Sequence, residues 1–177
     1  MAFEWPGYDP PAYGDAQSLL AGAGIDLERL RGARICNVYS AWDIEAERWC
    51  ASSPVVFELE DTRLEIGFAS GRLLRLSIDR IQMNPSLAGG GQDRGGVRRP
   101  AYEWRTDRSE LAPYVGRFIL GADFLEKSGD DRGIVGICVR TDAGSLELVN
   151  VAPADGVAIG INPQDYDKTR MKRIIAI

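Results

Sequence analysis

One alternating line is written twice in this chain, LEDTRLEIGF at 59–68 and VRTDAGSLELVN at 139–150. A period of two sends successive side chains to opposite faces of an extended strand, and a helix, whose faces repeat every 3.6 residues, cannot satisfy it. Each stretch turns back on itself, near Asp61 in the first and near Asp142-Ala143-Gly144 in the second, so each reads as a β-hairpin. With Phe57 laid on Val139, Leu64 falls on Leu146, Glu65 on Glu147 and Ile66 on Leu148, an offset of 82, while Gly32 falls on Gly116 at an offset of 84. The two-residue slip lies in the loop ahead of the hairpin.

The surroundings repeat as well. ARICNVYSAW reads as a strand after Gly32, PVVFELED and RLEIGFA as the hairpin, and RLLRLSIDRI as the strand after Ser70-Gly71. In the second half YVGRFILGADFLEK matches the first strand, GIVGICVRTDAGSLELVN is the hairpin, and DGVAIGI supplies the last strand. One such three-stranded half exposes an apolar face that it cannot bury alone, and a second copy would cover it. The expectation is a mainly β chain, α+β by count, in a single domain spanning 1–177. Its halves, 30–81 and 114–161, would form a pseudo-symmetric sandwich or half-open barrel, joined by a long loop at 82–113.

The ends read differently. Residues 1–14 make an irregular arm whose Trp5, Tyr8 and Tyr13 favour lying on the body. From Asp15, DAQSLLAGAGIDLERLRG sets Leu19, Leu20, Ala23, Leu27 and Leu30 at helical spacing, with Asp15 and Asp26 as N-cap candidates and Gly32 as a stop. Gly22 and Gly24 are expected to break this run into two short helices. The C-terminal NPQDYDKTRMKRIIAI opens on a turn at Asn162-Pro163 and continues as either a short basic helix or a final edge strand.

Composition excludes several chemistries. The chain has no histidine, which removes Ser-His-Asp and Cys-His nucleophile systems, imidazole metal sites and histidine proton switches. Its three cysteines, Cys36, Cys50 and Cys138, are odd in number and far apart, so they read as small buried apolar residues rather than disulfides or zinc ligands. Lysines are scarce, and Lys127, Lys168 and Lys172 sit in polar contexts unsuited to a Schiff-base or Ser-Lys mechanism. A net charge of −5 argues against a nucleic-acid partner and for a basic one. No apolar run reaches the ~18 residues of a membrane span. MAFEWPGYDPPAYGD is acidic and proline-rich where a signal peptide is basic and then apolar, so a cytoplasmic protein is expected.

Two stretches stand out as contact candidates. From Asp43 to Glu65, seven carboxylates face two arginines, a local charge of −5 that equals the charge of the whole chain. Within it, YSAWDIEAERWC sets Trp42 and Trp49 at the two ends of a loop carrying Asp43, Glu45 and Glu47, a pattern in which aromatic anchors supply area and charges steer a basic partner. The competing reading has the tryptophans capping the core ends with the acids solvated. The second stretch, 94–108, mixes Arg94, Arg98, Arg99, Arg105 and Arg108 with Tyr102 and Trp104, groups that can stack on and neutralise single-stranded nucleic acid; diluted by Asp93, Glu103 and Asp107, it reads as a loop contact. GGGQDRGG at 89–96 lacks the G-K-[ST] ending of a phosphate loop and reads as a flexible crossover. Asp165 and Asp167 form a lone D-x-D, too common to mark a magnesium site. Glu58 and Glu60, a pair that could run glycoside chemistry, are expected on a solvent face.

The short helical lead-in, LRGARICNVYSAW running into paired strands, LEI in one hairpin and LELVN in the other, and an acidic histidine-free surface together resemble small β-rich bacterial proteins of uncharacterised function. Immunity proteins of polymorphic toxin systems belong to that group. The resemblance implies a non-catalytic intracellular inhibitor that covers a basic toxin domain, with no cofactor and no metal. A small-molecule-binding or regulatory module, with the 82–108 segment as a lid, is the alternative. An enzyme relying on Glu58, Glu65 or Glu147 comes third. Unpaired edge strands in both halves would be compatible with a homodimer.

Overall fold

The computed structural model describes residues 8–69, 72–83, 101–127, 129, 132–150, 156–160 and 171–175. After a two-residue strand β1 (Ala12–Tyr13) and the helix α1 (Ala16–Arg29) come β2 (Ile35–Asp43), β3 (Arg48–Trp49), β4 (Val55–Leu59), β5 (Arg63–Ala69), β6 (Leu73–Ile78) and β7 (Tyr102–Arg105). A 3-10 turn at Ala112–Tyr114 leads to β8 (Ile119–Lys127), β9 (Gly133–Thr141), β10 (Gly144–Asn150), β11 (Val157–Ile159) and β12 (Met171–Ile175). Among the described residues the fold is mainly β with one α-helix, near the N-terminus. Its strands form two sheets, ordered β1-β6-β5-β4-β2-β3 with β7 also on β2, and β11-β10-β9-β8-β12. Neither sheet closes into a barrel.

The two sheets carry the same registers at the offsets seen in the sequence. Val38 pairs with Phe57 as Ala122 pairs with Val139, and Phe57 pairs with Leu64 as Val139 pairs with Leu146. An irregularity falls between Ile35 and Asn37 in β2, and again between Ile119 and Gly121 in β8. Each first strand then gains a late-coming neighbour: β7 pairs with Ser40–Asp43, and β12 with Asp123–Lys127. At the junction of the halves, Gly32 N–H donates to Ile119 O and Gly116 N–H to Ile35 O, both at 2.7 Å. Ile35 N–H donates to Arg117 O at 2.8 Å and Ile119 N–H to Ala33 O at 2.9 Å. The pattern maps onto itself when the halves are exchanged, with the Arg34–Phe118 bridge at its centre.

One apolar core joins the sheets and the helix. Leu19, Ala23 and Leu27 from α1 meet Phe57, Ile66 and Leu74 from the first sheet and Phe124, Ile137 and Leu148 from the second. Phe57 and Phe124 are fully buried, each contributing about 1.5–3 kcal/mol by removal from water. The helix is a single one. Gly22 does not break it, because a Cβ there would come within 2.7 Å of Tyr13 Cε1: the glycine makes room for the aromatic ring of β1. Asp15 is the N-cap, its Oδ1 accepting the Ser18 N–H at 2.8 Å, whereas Asp26 lies inside the helix and pairs with Arg29.

Two further expectations are corrected and one open choice is decided. Residues 82–113 are not one loop, since Tyr102–Arg105 completes the first sheet and so is no lid. Of the two alternatives for the C-terminal segment, Met171–Ile175 takes the strand, beside β8. Of the cysteines only Cys138 is buried; Cys36 and Cys50 are partly exposed.

Candidate functional site

The two stretches singled out in the sequence meet at one end of the first sheet. The second half of β2 carries β3 on one edge and β7 on the other, so Trp42 pairs across strands with both Trp49 and Glu103, and Asp43 with both Arg48 and Tyr102. Trp42 and Trp49 thus flank the turn at 44–47 as a cross-strand pair. Their rings meet edge to face, centroids 5.1 Å apart at 81°, the arrangement that aromatic quadrupoles favour. The Arg105 guanidinium lies over the Trp42 ring at 4.8 Å, and that of Arg108 over the Trp49 ring at 5.4 Å. Both tryptophans are half-buried.

The tip beyond them is shaped by Asp43. Its Oδ1 accepts the N–H of Glu45 at 3.1 Å and of Ala46 at 3.0 Å, and Glu47 closes the turn in the left-handed region at φ 49°. Ile44, Glu45 and Glu47 are consequently presented outward on a short, internally bonded turn. On the other face of β7, Tyr102 and Trp104 pack with Ala41, Val56, Cys50 and Tyr39 in a small second apolar cluster. Burial, reinforced by the neighbouring Cys50 and Asp43, pushes the Tyr102 phenol above its usual range.

Charge here is less one-sided than the sequence suggests. Arg105 Nε binds Glu103 Oε2 at 2.8 Å, and Arg108 Nε lies 3.6 Å from Glu110 Oε1. Burial pulls the Arg108 guanidinium below its ordinary value, with Glu110 acting against this. Arg108 is largely covered, so the outward groups are mainly carboxylates: Glu45, Glu47, Glu103 and Glu110, with Arg48 among them.

A second polar cluster was missed by sequence reasoning. Glu65, counted in the acidic stretch and among the carboxylates an enzyme would rely on, is wholly buried on the outer face of β5. It accepts the Ser77 hydroxyl and, through Oε1, the backbone N–H groups of Arg80 and Ile81, each at 2.8 Å. Ser77 Oγ also lies 3.3 Å from the Tyr8 hydroxyl, tying the N-terminal arm to the same face. Burial holds the Tyr8 phenol well above its usual range. Glu58, expected on a solvent face, is half-buried; its Oε2 accepts Asn37 Nδ2 at 2.6 Å and the Tyr39 hydroxyl at 3.1 Å. Glu65, Glu58 and Glu147 do not converge: Glu65 and Glu58 are each consumed by their own donors, and Glu147 lies on β10 of the other sheet.

Trp5, Arg98, Arg99, the glycine stretch 89–96, Asn162-Pro163, Asp165 and Asp167 lie outside the described residues. Among the described residues no group of three or more cysteine, aspartate or glutamate side chains could hold a metal ion, and no helix is long and apolar enough to cross a membrane. No family model, curated protein or solved structure matches the chain.

Proposed function

We propose that this chain is a non-catalytic protein-binding module of the immunity type, which neutralises a basic partner by covering it with the end of the first sheet. One observation carries the reading: the half-exposed Trp42–Trp49 pair, held on paired strands and stacked against Arg105 and Arg108, stands behind a turn that presents Glu45 and Glu47. Aromatic side chains fixed before binding lose little freedom on association, which is the property of interface anchors. The carboxylates around them raise the encounter rate with a positively charged surface.

The test has two stages. A stoichiometric basic partner is captured from lysate of the source organism at low salt, and its affinity is then measured against Trp42→Ala, Trp49→Ala and a Glu45→Lys/Glu47→Lys variant. The tryptophan changes should weaken binding at least tenfold with the fold retained, the size of an anchor residue. The charge reversal should slow association and flatten its salt dependence. Unchanged affinity in the folded fraction of both tryptophan variants would overturn the reading.

A further inference from the structure

The end of the molecule opposite the tryptophans carries the complementary chemistry. At the junction of the halves, Val115, Phe118 and Leu120 are large apolar side chains left 39%, 46% and 50% exposed. Arg34 bridges Phe118 directly, and Arg31 and Arg117 are exposed beside them in the chain. The neighbouring carboxylate of Asp142 is turned to the backbone, its Oδ1 accepting the Phe118 N–H at 3.0 Å. A surface with an apolar centre and a guanidinium rim suits a protruding acidic element that carries an apolar side chain.

The chain itself presents such an element. Ile44 stands 44% exposed on the tip turn, between Asp43 and Glu45 and close to Glu47. Because β2 runs from the junction to the tip, the two surfaces sit at opposite ends of one strand, roughly 30 Å apart at ~3.3 Å per residue. One copy cannot bring its own tip to its own junction. We infer that the tip of one copy docks on the Arg34–Phe118 junction of a second copy, in a head-to-tail contact.

Such a contact joins two different surfaces, so it propagates along a row of copies unless geometry closes a ring. It is also small, well short of the roughly 1,200 Å² at which stable interfaces begin, so it forms only at high concentration. The net charge of −5 on each copy opposes it at long range, and salt at physiological strength screens that repulsion beyond about 8 Å. Self-association hides the same tip that the proposed partner would use, which makes concentration a brake on partner binding. The inference rests on the charge and exposure of the two surfaces and does not need the partner reading to be true.

Sedimentation velocity on the full chain, from about 10 μM to about 1 mM, tests it in the concentration range where contacts of this size populate. The wild type should show a sedimentation coefficient that rises with concentration. Glu45→Lys/Glu47→Lys and Arg34→Glu/Arg117→Glu should each stay monomeric, and their equimolar mixture should associate again because each tip then meets a junction of opposite charge. Phe118→Ser should also remain monomeric, which tests the apolar centre without altering charge. A wild type that is monomeric throughout, a reversal variant that associates like the wild type, or a mixture of folded variants that stays monomeric overturns the inference. Partner affinity measured with the chain at nanomolar concentration is independent of all three results, so the two proposals fail separately.

Discussion

Gly32 and Gly116 hold the same left-handed backbone, φ 84° and 82°, and each gives its N–H to an isoleucine carbonyl of the opposite half at 2.7 Å. An L side chain in that region costs roughly 1–2 kcal/mol, because its Cβ crowds the following carbonyl. Nothing lies within 4 Å of a Cβ added at Gly32, and at Gly116 only Arg34 Nη2 does, at 4.0 Å. Gly32→Ala and Gly116→Ala should therefore each lose about 1 kcal/mol through backbone strain alone. Urea unfolding would show two losses of similar size; a neutral substitution at either position would mean the two junction turns are not equivalent.

Glu65 is a second place where burial sets the cost. Glu65→Ala leaves the Ile81 and Arg80 N–H groups and the Ser77 hydroxyl without their acceptor. A loss of about 2–4 kcal/mol is expected, from the desolvation of donors that no longer have a partner. Glu65→Gln, which keeps one acceptor oxygen, should lose less. Equal thermal stability for wild type and Glu65→Ala would contradict the buried arrangement.

Much of this architecture could be read from the sequence because alternation and turn residues are local signals. The hairpin at Asp142-Ala143-Gly144, the Asp15 cap and the offset of Gly32 from Gly116 are all visible in the letters. Glu65 was hidden because alternation separates two faces but does not say that both are covered, and the outer face of the first sheet is covered by Tyr8 and Ile81. Gly22 looked like a helix breaker, yet it serves Tyr13, a packing requirement no propensity encodes. β7 went unrecognised because four residues, YEWR, are too few to outweigh the glycines and prolines before them. That omission kept the two halves of the candidate site apart until pairing across β2 joined them.

The helix cap gives a prediction in pH. The Ser18 N–H bound to Asp15 is the main reason its carboxyl titrates below the ordinary value. A carboxylate with a depressed folded-state pKa stabilises the fold above its unfolded value, about 3.9, and that contribution is lost as pH falls through the lower folded value. Asp15→Ala should thus unfold more readily than wild type at pH 7, with the gap narrowing as pH falls below the unfolded value of about 3.9. A gap of constant size across that range would assign the effect to something other than the charged cap.

The two arginine–tryptophan stacks should differ in strength. The Arg108 side chain is 13% exposed and that of Arg105 35%, so the first pair is the better shielded from water. Cation–π attraction runs from roughly 0.5–1 kcal/mol at exposed sites to about 2 when desolvated. A double-mutant cycle with Arg108→Met and Trp49→Leu should give a larger coupling than one with Arg105→Met and Trp42→Leu. Equal couplings would show that Glu103, bound to Arg105 at 2.8 Å, holds that guanidinium as firmly as burial holds its counterpart.

Asp43 separates shape from charge at the tip. Its carboxylate is half-buried and turned inward to the Glu45 and Ala46 N–H groups, whereas Glu45 and Glu47 face outward. Asp43 therefore positions the turn, its Oδ1 held by the backbone. Asn keeps an acceptor oxygen at the same distance from the backbone, and Ala does not. Hydrogen exchange at the Glu45 and Ala46 amides should quicken roughly tenfold in Asp43→Ala, the effect of losing one charge-assisted bond, and change little in Asp43→Asn. Association with a basic partner should follow the same order, with Asp43→Asn close to wild type despite the lost charge. If Asp43→Asn instead slowed association as much as Asp43→Ala while its amides stayed protected, the charge of Asp43 would be part of the contact surface and its role as a scaffold for the turn would be secondary.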